Sequence, residues 1–253
     1  MLPILSKYIQ IIYFIIITFI SPLAFCENHH FSPNDFVNIS DIDPSIQLHL
    51  KYHQNDNIIG QPFAGNDQEK AIISIDAAKA LSEVQEELIT HGYSLVIYDV
   101  YHPHKTYKLL KNAFHQSKDA HSIYNPTLSN EYLKQQKFIK IKYAHARGST
   151  VDATIIPLKK QLIKPSVKQI RYYKNNQAVT YLHDGSVDMG TSHDTLDPLS
   201  AHSNTDISIK AQENRKLLKT IMQNHGFIAD KNFWWQYTLA REPYADTRFD
   251  FDI

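Results

Sequence analysis

The order of helical and strand-like patterns along this chain is the feature that most constrains its fold. Apolar residues recur at helical spacing over about 76–90, where Asp76 is positioned to cap a helix, and again over about 210–225. A third helical pattern, at about 104–116, follows a proline. The spacing therefore predicts three helices separated by long intervals.

Strand patterns fall between these helices without regular alternation. Apolar and β-branched runs predict strands at 93–100, 137–143, 149–156 and 233–239, whereas the polar residues 27–71 predict irregular structure. A chain without a repeating strand–helix–strand rhythm favours an α+β fold. We therefore expect one domain, with helices packed on a mostly antiparallel sheet.

A basic connection at about 158–188 separates the middle strands from the second half of the chain. Two strand-like runs around Asn175-Asn176 predict a hairpin within it. Two interpretations stay open for this insertion: a solvated surface feature, or a lid that touches anionic wall polymer.

The first 26 residues differ from the rest. Lys7 is their only charge, and residues 8–25 are almost wholly apolar. This pattern predicts a secretory signal peptide, or an N-terminal anchor, because the apolar run is close to the ~20 residues that a bilayer requires. We expect residues 27–253 to be exported, to the periplasm or as a secreted protein, with inner-membrane contact only through an uncleaved signal.

Composition excludes some partners and some forms of stabilisation. The 26 basic and 26 acidic residues balance, and no basic helix or RNA-binding signature is present, so no nucleic-acid partner is expected. Cys26 is the only cysteine, so the exported part has no disulfides and depends on its core or a bound metal.

One stretch, YAHARGSTVDATII at 143–156, carries a metal-ligand pattern. His145 lies on a predicted turn and Asp152 at the start of a strand, and both side chains are good zinc ligands. Gly148 lets the loop between them fold back tightly. The same spacing occurs in ordinary surface turns, and zinc needs at least three protein ligands, so the pair alone is a weak signal.

Four stretches form an ordered set of motifs. S-x-H-x-R-G-x-x-x-D-x-T has its counterpart at 143–154 with Tyr143 for the serine, and M-G-x-x-F-D at 189–194 with His193 for the phenylalanine. A-Q-N-R-x-L-L corresponds to 211–218 with Glu213 as an extra residue, and E-P-Y-x-x-x-x-F-D-F to 242–251. In this order they resemble the VanX-type D-alanyl-D-alanine dipeptidases, zinc enzymes that cleave the dipeptide used for peptidoglycan cross-linking. The resemblance extends from about residue 36 to 253 and implies the family's α+β zinc D,D-peptidase fold.

The resemblance implies roles for individual residues. His145 and Asp152 match two of the three zinc ligands, and Asp194 matches the acid that receives the substrate's free amino group. Zn²⁺ is the implied cofactor, and D-Ala-D-Ala or a peptidoglycan-derived peptide is the implied partner. A buried carboxylate is the natural counterpart of an ammonium group.

Three catalytic positions of the family carry other residues in this chain. The family's E-W-W-H supplies a general base and the third zinc ligand, but here it is Phe233-Trp-Trp-Gln236, and the family's oxyanion-stabilising arginine is His102. Phenylalanine cannot accept a proton, a function worth about 10²–10⁴-fold in rate. Glutamine is a weak zinc ligand, and histidine is only partly charged near neutral pH.

Other residues are candidates to compensate. Asp230 is an alternative base, and His193, where the family has phenylalanine, or His202 is an alternative ligand. The alternative for each loop histidine is an ordinary solvated side chain without a metal-binding role. The adjacent Trp234 and Trp235 are expected in the core, with stacking on a ligand as the alternative.

Two functions stay open on the sequence. The first is a zinc-dependent D-Ala-D-Ala dipeptidase whose catalysis is impaired by the three substitutions. The second is a non-catalytic exported protein that binds peptidoglycan-derived D-Ala-D-Ala ends. They differ in whether a third zinc ligand exists.

Overall fold

The computed structural model describes residues 35–55, 57–58, 61–62, 70–109, 138–164, 166–176 and 178–253. All of them belong to one compact unit, Ser32–Ile253. The predicted signal at 1–26 and the later part of the predicted helix at 104–116 lie outside the described residues. Among the described residues, no helix is long and apolar enough to cross a membrane.

The part of the chain that the structure describes contains nine strands and three α-helices. The strands are β1 (Phe36–Asn38), β2 (Gln47–Leu48), β3 (Ile72–Ser74), β4 (Tyr93–Asp99), β5 (Thr150–Pro157), β6 (Val167–Tyr172), β7 (Ala178–His183), β8 (Phe227–Ala229) and β9 (Gln236–Leu239). The helices are α1 (Ile39–Ile42), α2 (Ile75–Thr90) and α3 (Ile209–Asn224), and residues 104–109 are also helical.

A five-stranded sheet with the order β2-β4-β5-β9-β8 forms the centre. Only β2 and β4 pair in parallel, and the other three pairings are antiparallel. The predicted α+β fold with a mostly antiparallel sheet is therefore confirmed. The helices α2 and α3 bury an apolar face at helical spacing in the core that the sheet also lines, including Leu81 and Leu88 of α2 and Leu218 and Ile221 of α3.

The basic insertion contains the predicted hairpin. Strands β6 and β7 pair antiparallel as a separate two-stranded sheet, and a 3-10 turn at Lys174–Asn176 lies between them. Strand β6 is mostly exposed, and Arg171 is held by Asp188 at 2.8 Å. The hairpin thus exposes β6, while β7 buries Val179, Tyr181 and Leu182, and Asp188 ties it to the start of the 189–202 loop.

Several local predictions were wrong. Of the predicted strand 137–143, the described residues 138–143 do not form a strand: a 3-10 helix runs over Phe138–Arg147, and β5 pairs with β4 and β9 instead. The last strand begins at Gln236 rather than 233, since the Trp234 backbone N–H donates to the Ser200 carbonyl oxygen at 3.0 Å instead of joining the ladder.

The start of the domain also differs from expectation. The stretch 27–71 is not irregular throughout, because β1, α1 and β2 form within its described part. Helix α2 begins at Ile75, directly after Ser74, so Asp76 lies in the first turn and does not precede the helix as its cap. Its carboxylate is still favourably placed near the positive end of the helix dipole.

Gly148 forms the turn that joins the 3-10 helix to β5. Its φ is +76°, and a Cβ added there would lie 2.1 Å from Phe36 Cε1. We predict that Gly148→Ala lowers the free energy of unfolding by about 3 kcal/mol or more, because backbone strain and a clash act together. Chemical denaturation checks this.

Gly92→Ala is the matched control. Gly92 has φ +83°, but nothing lies within 4 Å of its added Cβ, so only the backbone cost of about 1 kcal/mol is expected. Equal losses of stability in the two variants would contradict the role assigned to the Phe36 contact.

Candidate metal centre

Three polar residues lie in one row across the middle of the sheet. Asp99 of β4 is opposite Asp152 of β5, and Asp152 is opposite Gln236 of β9. Opposed residues in antiparallel strands have Cβ atoms about 4.5–5.5 Å apart and point to the same face. A bulge at Tyr98 shifts the β4 register just before Asp99. The sheet itself therefore brings Asp152 and Gln236 together.

His145 reaches this row from the end of the 3-10 helix. Its Nδ1 donates to the Val100 carbonyl oxygen at 2.8 Å, and its Nε2 lies 3.2 Å from Asp152 Oδ1. A histidine whose Nδ1–H is held by a carbonyl presents Nε2 as the tautomer that binds metals. Both His145 and Asp152 are fully buried. The two predicted ligands are thus brought together in a suitable arrangement.

Gln236 contacts the same histidine nitrogen. Its Nε2 lies 3.2 Å from His145 Nε2. Because Nδ1 of His145 carries the proton, Nε2 accepts a hydrogen bond and the amide N–H donates it. Gln236 therefore occupies the third-ligand position of the family while presenting a donor, not a metal ligand, to His145.

The loop 189–202 contributes two further side chains. His193 Nε2 lies 2.9 Å from Asp152 Oδ2, and His193 Nδ1 lies 3.5 Å from Asp194 Oδ2. Asp194 has φ +61°, in the left-handed region, where the chain turns sharply. The Tyr52 hydroxyl donates to Asp194 Oδ2 at 2.7 Å. Sequence reasoning missed Tyr52, which lies in the stretch predicted to be irregular and carries no motif signal.

A buried arginine anchors this loop. Arg215 of α3 donates through Nε to the Met189 carbonyl oxygen at 2.6 Å and through Nη1 to the Ala201 carbonyl oxygen at 2.7 Å. Burial lowers the pKa of Arg215 to about 10, which still leaves the guanidinium charged near neutral pH. The Trp234 indole N–H also donates to Thr191 Oγ1 at 2.9 Å. The motif at 211–218 therefore positions the loop that carries His193 and Asp194.

The general-base position of the family lies in the core. Phe233 is 1% exposed, and its ring centroid is 4.9 Å from that of Trp235. Trp234 and Trp235 are both buried, so the expectation that they are core residues is confirmed. Asp230 Oδ1 accepts the backbone N–H groups of Asn232 and Phe233, and burial raises the pKa of Asp230. Asp230 therefore stabilises the turn before β9.

His102 packs against the ring of His145. The two rings stack with centroids 5.2 Å apart and planes 14° from parallel. The Nδ1 atom of His102 is 2.8 Å from Thr106 Oγ1, and its Nε2 is 3.8 Å from Asp99 Oδ2. At this position His102 packs against a candidate ligand and shares Asp99 with it, since Asp99 Oδ2 is also 3.7 Å from His145 Nδ1.

Among the described residues, two groups of side chains have ligand atoms close enough together to hold a metal ion: Asp99, His102 and His145, and Asp152, His193 and Asp194. The donor chemistry fits zinc at the junction of these groups, because His145 and Asp152 offer an imidazole nitrogen and a carboxylate oxygen, both of which are common zinc ligands. Residue 236 does not fit as a ligand in its hydrogen-bonded orientation.

His202, the other candidate ligand, belongs to a different place. Its ring is 6.0 Å from Tyr237, and it lines a groove with Arg215, Lys216 and Lys219. Burial, with a further contribution from the positive charges of Lys219 and Arg215, lowers the pKa of His202 to about 3. His202 is thus neutral near pH 7 and lies among cations.

This shift predicts acid sensitivity. The pKa of His202 falls from 6.5 to about 3 on folding, so between these values the unfolded chain binds a proton that the native protein does not, and stability falls as the pH falls. In His202→Gln the pH dependence of the unfolding free energy should be flatter there, by up to about 1.4 kcal/mol per pH unit. Denaturant titrations from pH 3 to 8 check this. Between pH 7 and 8 the two proteins should have parallel profiles, and parallel profiles throughout would contradict the prediction.

Comparison with known proteins agrees with the observed fold. A family model described as D-ala-D-ala dipeptidase matches residues 32–164 and 161–253. The chain belongs to this family of zinc-dependent metallopeptidases.

Individual relatives are similar over most of their length. A D-alanyl-D-alanine dipeptidase of Enterococcus faecium is 26% identical over 86% of this chain and 98% of its own. A protein of the same name from Streptomyces coelicolor is 27% identical over 87% and 98%. The one from Escherichia coli is 26% identical over 82% and 86%. The relatives thus match the whole described domain rather than one part of it.

Proposed function

We propose that this chain recognises D-Ala-D-Ala, or a peptidoglycan-derived peptide that ends in it, and acts as a slow zinc-dependent dipeptidase. The observation that carries the proposal is the buried Asp194 carboxylate, 2% exposed and joined through His193 to the His145–Asp152 pair. A buried carboxylate is stabilised by a cation, which the free amino group of a dipeptide supplies. The names of the relatives support the choice of substrate.

Each residue of the site has a proposed part in this activity. Zinc held at His145 and Asp152 would polarise the scissile carbonyl and lower the pKa of a bound water. Asp194, oriented by Tyr52, positions the substrate's ammonium group. The proposal includes export to the periplasm or outside the cell, where wall peptides occur, and the apolar stretch at 8–25 supports it.

Hydrolysis is expected to be slow for two reasons. Phe233 cannot remove a proton from water, and a positioned base contributes about 10²–10⁴-fold in rate. His102 packs on His145 and shares Asp99 with it, so it is a poor replacement for an arginine that stabilises an oxyanion. One such donor is worth about 2.7–4 kcal/mol.

A second candidate is a non-catalytic binding protein. The observation that favours it is the hydrogen bond from Gln236 Nε2 to His145 Nε2, which satisfies the ligand nitrogen without a metal. In that case the residues around Asp194 would bind D-Ala-D-Ala ends without cleaving them.

Recognition is tested by binding. Titration calorimetry should show that the protein binds D-Ala-D-Ala and that Asp194→Asn weakens this by at least about tenfold, since a hydrogen bond to a charged group contributes ~1.5–3 kcal/mol. Acetylation of the dipeptide's amino group should weaken its binding to the natural chain by a similar factor. Asp206→Asn, at an exposed aspartate paired with Lys174, is the control and should bind normally. Unchanged affinity in Asp194→Asn would rule out the proposed role of Asp194.

The two candidates are separated by restoring the family residues. Phe233→Glu, Gln236→His and His102→Arg together should raise D-Ala-D-Ala hydrolysis at least about 100-fold over the natural chain, because they return a base and an oxyanion donor. Release of D-alanine measures this, and thermal unfolding confirms that the triple variant is folded. A folded variant with no gain would show that other changes limit turnover. Detectable zinc-dependent hydrolysis by the natural chain favours the dipeptidase, and binding without hydrolysis favours the second candidate.

A further inference from the structure

Two histidines flank the Asp152 carboxylate in equivalent ways. His145 places Nε2 at 3.2 Å from Oδ1 and anchors Nδ1 on the Val100 carbonyl oxygen. His193 places Nε2 at 2.9 Å from Oδ2 and directs Nδ1 to Asp194 Oδ2 at 3.5 Å. In each histidine, one nitrogen faces the shared carboxylate and the other faces an acceptor outside it.

We propose that His193 is the third zinc ligand of this chain, in place of residue 236. The inference rests on the proposed function, because it completes the same zinc site. Imidazole nitrogens and carboxylates are common zinc ligands, and His145, Asp152 and His193 supply two nitrogens and one carboxylate. Gln236, at the usual third position, presents an amide donor instead.

The His193 ring is held in place before any ligand binds. It lies between Tyr98, with centroids 4.7 Å apart, and Trp235, with centroids 5.3 Å apart. Tyr98 is the bulged residue of β4, and its hydroxyl donates to Asp184 Oδ2 at 2.6 Å. The side chain of His193 is 4% exposed, so His193 is not a solvated loop histidine. A ligand fixed by its surroundings loses little side-chain entropy on binding a metal.

Asp194 supplies the outer contact that a histidine ligand requires. To bind zinc through Nε2, His193 must carry its proton on Nδ1, and Asp194 Oδ2 is the acceptor on that side. Histidine ligands almost always donate their second N–H to a carboxylate, carbonyl or water. Asp194 would then contact both the zinc ligand and the substrate's ammonium group, so substrate binding and metal binding would be coupled.

The experiment counts imidazole ligands. We would load the purified protein with one equivalent of zinc and record zinc K-edge X-ray absorption, which distinguishes the number of coordinated imidazoles. The natural chain should show two, and His193→Phe, which introduces the residue of the family motif, should show one. Zinc affinity, from competition with a chromogenic chelator, should fall in His193→Phe by more than the roughly 10–100-fold that loss of an outer contact causes.

Two control variants make the result specific. Gln236→Met removes the amide N–H that bonds to His145 Nε2 in competition with a metal, so it should keep two imidazoles and should not lower the zinc affinity. His202→Phe makes the same change at a histidine outside the site and should bind zinc normally. Thermal unfolding without zinc checks that each variant is folded, and His193→Gln replaces His193→Phe if the latter is not.

Several outcomes would overturn the proposal: one imidazole or no zinc in the natural chain, two imidazoles persisting in the His193 variant, or loss of zinc in Gln236→Met. Neither measurement uses the dipeptide or turnover. Failure of D-Ala-D-Ala binding would therefore count against the proposed function alone, while a normal dipeptide titration with one imidazole would count against the role of His193 alone.

Discussion

The carboxylate of Asp152 is the group around which the rest of the site is built. It is fully buried in the central strand β5, and a buried charge costs several kcal/mol unless partners surround it. His145 approaches one of its oxygens from the 3-10 helix, and His193 approaches the other from the 189–202 loop. The pairing of β5 with β4 and β9 fixes the position of Asp152 from both sides. Distant segments of the chain must therefore meet correctly for this one group to be tolerated.

Much of the fold followed from local patterns. The apolar run at 93–100 and the helical periods near 76–90 and 210–225 correspond to β4, α2 and α3, because burial on one face selects both the residues and the periodicity. Segments whose structure depends on distant partners were predicted poorly. Residues 138–143, within a stretch predicted as a strand, belong to a 3-10 helix while the neighbouring β5 pairs with β4 and β9, so β propensity was overridden by tertiary context.

The ligand pair of the candidate site could be predicted from the sequence, whereas the residues that surround the pair could not. The spacing of His145 and Asp152, with the motif resemblance, indicated a pair that the structure brings to 3.2 Å. Tyr52 could not be found this way, because its contact with Asp194 spans 142 positions in sequence and follows no periodicity. The stacking of His102 on His145 likewise depends on the path of the chain after β4, which no short motif encodes.

The hold of Arg215 on the loop 189–202 has a kinetic consequence. Hydrogen bonds to the carbonyl oxygens of Met189 and Ala201 fix both ends of the loop from a helix that is already packed in the core. The conformational entropy of this segment is thus lost when the protein folds and not when a ligand arrives. A ligand that reaches Asp194 would meet a loop that is already ordered, so ordering of the loop would not slow its association.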